Sequence, residues 1–141
     1  KKKIKYWSIF GIIIVIIVIG IVYLTATSRT PPPISDQDHI EVSPPSHISK
    51  EPMDIKIQKH MLEHADGKGS PGIIINYNCE DYKCENGLIE NLEAFAEKYT
   101  SNVYVAPFSN MDAKIALTRL NKIEVLESFD EEKIDNFINR R

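Results

Sequence analysis

IIINYNCEDYKCENGLIENLEAFAEKYTSNVYVAP, residues 73–107, carries the pattern that determines the fold. Residues 73–78 follow a loop that contains Gly and Pro, and their apolar start suits a buried strand. Residues 88–99 repeat apolar side chains at the three- and four-residue spacing of an amphipathic helix, with Asn86 as the expected N-cap. Residues 103–106 form a second predicted strand. Because a helix connects the two strands, we expect them to be parallel with a right-handed crossover.

The following residues extend this unit to a small α/β domain. Residues 115–120 and 123–126 flank Asn121-Lys122, a pair that predicts the turn of a β-hairpin. Asp130 is expected to begin a last helix, with acidic residues in its first turn and Arg140 and Arg141 at its end, in accord with the helix dipole. The predicted order is β-α-β-β-β-α, which has a distant likeness to the thioredoxin arrangement.

A long apolar run lies near the N-terminus. Residues 6–24, YWSIFGIIIVIIVIGIVYL, contain no charge, and as a helix they reach about 28 Å, close to the hydrocarbon thickness of a bilayer. Lys1, Lys2, Lys3 and Lys5 precede the run, which predicts a cytoplasmic N-terminus and an extracytoplasmic remainder. A cleaved signal peptide is the alternative, but its apolar core is usually only about 7 to 15 residues long.

The chain therefore divides into three predicted parts: a transmembrane anchor at residues 1–27, a Pro-rich linker at 28–54 and an extracytoplasmic domain at 55–141. Five prolines lie within residues 29–45 of the linker, which suits a stiff spacer. All 20 acidic residues follow the anchor, whereas four of the 17 basic residues lie within it, so the exterior part carries about −7. This charge argues against nucleic acid as a partner.

Four histidines, His39, His47, His60 and His64, are the most informative polar residues, because all lie within one short stretch of the chain. His60 and His64 are four residues apart, so on a helix their imidazoles share a face and can bind one metal ion. Glu63 is a candidate third ligand or an acceptor that orients an imidazole. His47 can approach from the linker as a further ligand. The alternative is that these histidines are solvated or hydrogen-bonded within the fold.

The identity of the metal follows from the donor types. Met53 and Met61 place soft sulfur near the histidines, which favours copper, whereas two imidazoles and a carboxylate suit zinc equally well. Copper is the expectation and zinc the alternative. His60 to His64 also matches the His-x-x-Glu-His pattern of inverted zincin peptidases. Such an enzyme needs another protein ligand and a peptide-binding cleft, so a peptidase is the weaker hypothesis.

Cys79 and Cys84 are the only cysteines, and they lie between the first predicted strand and its helix. In an extracytoplasmic domain we expect them to form a disulfide, which would stabilise the fold by roughly 2 to 3 kcal/mol. Redox exchange is an alternative because a helix N-terminus lowers a thiol pKa, although the usual motif has two intervening residues and this one has four. Thiolate binding of a metal is the other alternative.

Several of these motifs together resemble the uncharacterised family called domain of unknown function 3105. The likeness rests on Pro44-Pro45-Ser46-His47, on residues 60–64, on the strand at 73–78 and on residues 114–118, and it spans residues 44–141. The resemblance implies a single-pass extracytoplasmic protein with His47, His60, Glu63 and His64 in one site. It implies no particular reaction.

The sequence contains no evident nucleophile triad and no Gly-rich phosphate loop, so an enzyme is not favoured. We expect a membrane-anchored, metal-binding accessory subunit that works with other membrane protein subunits, for example those of a copper-dependent oxidase or monooxygenase, and that guards or delivers the ion. The alternative is a structural interaction subunit without metal.

Overall fold

The computed structural model describes residues 2–65 and 69–140 of the chain. The helices are α1 (Lys2–Thr27), α2 (Ile55–Glu63), α3 (Leu88–Lys98) and α4 (Glu131–Asn139). The strands are β1 (Ile73–Tyr77), β2 (Val103–Pro107), β3 (Ile115–Arg119) and β4 (Lys122–Leu126). The order from β1 to α4 is β-α-β-β-β-α, so the prediction of a mixed α/β domain after an apolar N-terminal helix is confirmed.

Helix α1 is long and apolar enough to cross a membrane over Tyr6–Thr25, and none of that stretch is buried in the protein. A span of this length matches a bilayer, because a helix needs about 20 apolar residues to cross it. Together with a disulfide in the rest of the chain, this helix fits a single-pass membrane protein. Lys1 and the side chains of the other flanking lysines lie outside the described residues.

Strand β1 is one of the two inner strands of a four-stranded sheet with the order β2-β1-β3-β4. It pairs in parallel with β2, with Ile75 opposite Val105, as predicted for two strands joined by a helix. It pairs in antiparallel fashion with β3, which continues into β4. All five residues of β1 are buried, because both faces of the sheet are covered.

Two local predictions need correction. The β3–β4 hairpin is confirmed, but Arg119 pairs with Lys122, so the turn residues are Leu120 and Asn121 and not Asn121-Lys122. Asn121 has φ 61°, a left-handed conformation that Asn tolerates better than most residues. Helix α3 is preceded by Gly87 at φ 80°, and no side chain caps it, so the prediction of an Asn86 cap was wrong.

The last helix begins as predicted. Asp130 is the N-cap of α4, and its side chain accepts a hydrogen bond from the Lys133 amide. Glu131 and Glu132 lie in the first turn, where negative charge stabilises the helix. Arg140 is the C-cap residue, and Arg141 lies outside the described part of the chain.

Each face of the sheet has its own apolar layer. Helices α3 and α4 cover one face with the largest buried cluster, which includes Leu92, Phe95, Ile134 and Phe137. Helix α2 and its flanking residues cover the other face. The buried residues of this second cluster, from the helix, its flanks and the sheet, are Met53, Met61, Leu62, Ala65, Ile74, Tyr104 and Ala106.

Residues 28–50, which we call the strap, contact the folded domain at both ends. Near its start, the Thr30 amide donates to Asn110 O at 3.1 Å and the Asn121 amide donates to Ile34 O at 2.7 Å. Near its end, the Val105 amide donates to His47 O and the Ser49 amide donates to Val105 O, both at 2.8 Å. The segment interpreted from sequence as a stiff spacer thus lies along the domain.

Gly72 lets α2 approach the start of β1. Its amide donates to Met61 O at 2.9 Å, and a Cβ at this position would lie only 2.2 Å from the same oxygen. Because backbone cannot yield as a flexible side chain can, only glycine fits here without moving the helix.

The Cys79–Cys84 disulfide closes the loop between β1 and α3, with the two Cα atoms 5.4 Å apart. The predicted pairing is therefore confirmed. Both cysteines pack against the larger apolar cluster. The bridge limits the freedom of the unfolded chain over a short loop.

Replacing both cysteines with serine should lower the free energy of unfolding by about 2 kcal/mol, since a loop of this length gives that much in the chain-entropy model. Urea unfolding of the full chain in detergent, followed by near-UV circular dichroism, measures the change. The wild type in reductant should show the same loss, and the variant should not respond to reductant. Equal stability of wild type and variant would contradict this account.

Gly72→Ala should destabilise the domain by about 1–3 kcal/mol, the usual cost of overpacking a close contact. The clash separates α2 from β1, so the same unfolding measurement should show a lower midpoint. Ser70→Ala is the matched control, because Ser70 is exposed and contributes its backbone oxygen to the Ala65 amide. A Gly72→Ala protein as stable as this control would refute the proposed contact.

Candidate metal centre

Helix α2 presents two chemically different faces. Asp54 caps its N-terminus by accepting from the Lys56 amide, and the helix ends at Glu63. Met61 and Leu62 are fully buried against the sheet. His60 is nearly buried as well, but it lies beside His39 of the strap, with the ring centroids 5.3 Å apart.

Three side chains converge between the strap and α2. One ligand atom from each of His39, Glu41 and His60 lies within 4.8 Å of the others. Glu41 joins the two imidazoles, because its Oε1 is 2.8 Å from His39 Nε2 and its Oε2 is 3.5 Å from His60 Nδ1. Two imidazoles and one carboxylate at these separations can bind a transition-metal ion.

Glu63 and His64 extend this cluster. Glu63 Oε2 is 3.5 Å from His39 Nε2, and Glu63 Oε1 is 3.3 Å from His64 Nε2. The ring of His64 meets that of His60 edge-on, with centroids 5.8 Å apart. Carboxylates and imidazoles therefore alternate along the cluster, so each carboxylate lies between two imidazoles.

His39 is oriented by its own chain. Its Nδ1 donates to the backbone oxygen of Asp36 at 2.6 Å, which leaves Nε2 directed at the carboxylates. Metal-binding histidines commonly donate their second ring nitrogen to a carbonyl in this way. The Asp36 carbonyl, and after it Glu41, raises the pKa of His39. In turn, the hydrogen bond with His39 lowers the pKa of Glu41.

His60 Nδ1 is buried and has no hydrogen-bond partner among the described residues. Its nearest carboxylate oxygen, on Glu41, lies at 3.5 Å, which is long for a hydrogen bond. A buried polar atom without a partner costs about 1–3 kcal/mol, so such atoms need an explanation. A metal ion between His60 and Glu41 would satisfy this nitrogen.

The structure brings together three of the four ligands predicted from sequence. His60, Glu63 and His64 belong to the cluster, although His64 is the C-cap residue, with φ −134°, and is not part of the helix. His47 is held differently: its Nδ1 donates to Val103 O at 2.7 Å and its ring stacks on Tyr104 at 4.2 Å. Among the described residues, the group of close ligand atoms does not include His47.

The two methionines lie in the apolar layer. Met61 is fully buried and Met53 nearly so, in the cluster that contains Leu62 and Ile74. The cluster of close ligand atoms consists of imidazole and carboxylate groups.

Sequence reasoning missed His39 and Glu41 as ligands, because both fall in the stretch interpreted as a spacer. The sequence nevertheless contained an indication that these two residues could be ligands. His39 and Glu41 are two residues apart, and all four histidines lie in one short stretch of the chain. Only the fold brings residues 39 and 41 onto residue 60.

Comparisons with models of protein families, with curated proteins and with solved structures give no match to this chain. The resemblance to domain of unknown function 3105 stays a prediction.

Glu41→Gln should lower the pKa of His39, because the amide loses the negative charge that helps hold the proton. The raised pKa of His39 adds stability that is full below its ordinary 6.5 and is lost as pH rises through the raised value. The lowered pKa of Glu41 adds stability above its ordinary 4.5, which is lost as pH falls through the lowered value. The pair therefore stabilises the strap most between these two ordinary values.

An NMR titration of the histidine rings in the presence of chelator measures this change. Glu97→Gln is the control, because Glu97 is exposed on α3, which covers the opposite face of the sheet. An unchanged His39 titration in Glu41→Gln would show that the two side chains do not interact in solution.

Proposed function

We propose that this chain is a membrane-anchored protein whose domain binds a divalent transition-metal ion through His39, Glu41 and His60. Glu63 and His64 complete the site, as further ligands or as groups that orient the imidazoles. The strap supplies the first two ligands and α2 supplies the others. The ion therefore bridges two parts of the chain that are distant in sequence.

The observation that carries this proposal is the buried Nδ1 of His60. It has no hydrogen-bond partner among the described residues, and it lies beside a carboxylate and a second imidazole. The hydrogen bond from His39 to the Asp36 carbonyl fixes the orientation of the His39 ring, which supports the same conclusion. A purely structural histidine would be expected to have its buried nitrogen paired.

Cu²⁺ is the expected ion and Zn²⁺ the alternative. Imidazole and carboxylate donors suit both ions, and Cu²⁺ is generally bound more tightly by a given set of such donors. The methionine sulfurs, which favoured copper in the sequence, pack among apolar side chains and do not strengthen that choice. The preference for copper thus rests on intrinsic affinity.

The proposed location is the extracytoplasmic side of a membrane. The lysines that precede the apolar run at residues 6–24 favour a cytoplasmic N-terminus by the positive-inside rule. A disulfide in the domain is typical of an oxidising compartment. The disulfide also lies between a strand and the following helix, which supports the proposed distant likeness to thioredoxin.

Within a membrane assembly, such a domain would guard or deliver the ion for another subunit, as proposed for an accessory subunit of a copper-dependent oxidase or monooxygenase. The acidic exterior part is consistent with attraction of cations. The peptidase alternative has less support. Its pattern requires two histidines on one helix, whereas α2 ends at Glu63 before His64.

The full chain in detergent should bind one Cu²⁺ or Zn²⁺ per molecule, measured by calorimetry and metal analysis. His39→Ala and His60→Ala should each weaken binding at least about 100-fold, because loss of an outer partner alone typically costs 10–100-fold. His64→Ala tests the role of His64 at the edge of the site. This variant should weaken ion binding by about 10–100-fold. Competition between the two ions identifies the preferred one.

His47→Ala is the informative control, because it separates the ligand set in the structure from the one in the sequence prediction. We expect it to bind the ion nearly as well as the wild type. Absence of stoichiometric binding by the wild type would refute the proposed function. If wild type and His60→Ala bound the ion equally well, the proposed set of ligands would be refuted.

A further inference from the structure

The strap is held firmly at its two ends and weakly in the middle. Backbone hydrogen bonds of 2.7–3.1 Å attach Thr30 and Ile34 at one end, and two of 2.8 Å attach His47 and Ser49 at the other. The middle, residues 35–46, we call the latch segment. It passes over the outer side of α2.

Few bonds fix the latch segment to the domain. Among the described residues, these are a long contact of 3.5 Å from the Ile40 amide to Lys56 O and a bond of 2.8 Å from Lys59 Nζ to Gln37 O. Ile40 and Val42 are exposed, so they add little apolar burial. Segments with few buried contacts open locally at low free energy.

The latch segment also contacts α2 through the metal-binding cluster. His39 and Glu41 belong to the latch segment, whereas His60 and Glu63 belong to α2. An ion bound by both sets would tie the latch segment to the helix near its midpoint. Binding that requires the closed form stabilises that form by mass action.

We infer that ion binding closes the latch segment onto α2 and that ion release opens it. This inference rests on the proposed function and adds a consequence to it. The strap directly follows the membrane-spanning helix, so the ion would control the segment that connects the anchor to the domain. Opening would uncover His60 and the outer side of α2 for a partner.

Hydrogen exchange of the full chain in detergent, measured by mass spectrometry at buffered concentrations of free Cu²⁺ or Zn²⁺, tests this inference. The reporting amide is that of Ile40, which donates to Lys56 O across the contact between the latch segment and α2. If opening requires ion release, exchange should slow about tenfold for each tenfold rise in free ion above the dissociation constant. Amides of the central strand, Ile73–Tyr77, should not change.

Site occupancy is measured on the same samples, so the two proposals fail separately. An occupied site with unchanged exchange would overturn the latch and leave metal binding intact. An unoccupied site at saturating ion would overturn the function and the latch together. His60→Ala should exchange at one fast rate regardless of the ion.

Lys59→Ala is the matched control. It removes a bond to the latch segment without removing a proposed ligand. Its exchange should be faster at every concentration but should keep the same dependence on free ion. Loss of that dependence would show that Lys59, and not the ion, holds the latch segment closed.

Discussion

The close contact between the Met61 carbonyl and Gly72 is the constraint on which the rest of the structure depends. It holds the C-terminal end of α2 against the start of the central strand, in a space that a side chain would fill. With the helix held there, Met61 and Leu62 enter the core. His60, Glu63 and His64 then face the strap, which brings His39 and Glu41 to them.

The resulting cluster alternates acidic and imidazole side chains. Each of the two carboxylates contacts two imidazoles, and the His39 ring lies between Glu41 and Glu63. Each contact is modest because several of the groups are partly exposed. The arrangement therefore gains little as a set of ion pairs, which agrees with the proposal that these groups serve as ligands.

Much of the fold was predictable because local patterns and tertiary packing agree. The apolar runs of β1 and β2, the periodic face of α3 and the capping Asp130 all specify the elements that form. The turn of the hairpin was misplaced by one residue, because Asn121 adopts a left-handed conformation that the pattern does not position. The cap at Asn86 failed because Gly87 takes the N-cap position.

The sequence by itself determined the apolar helix, the order of strands and helices, the disulfide partners and three side chains of the cluster, because each depends on residues near one another in the chain. Only the tertiary structure decided that the strap returns to the domain and that His39 and Glu41 meet His60, whereas His47 stacks on Tyr104. The physical reason is that these contacts join segments whose local patterns carry no information about each other. Their pairing depends on how α2 packs on the sheet.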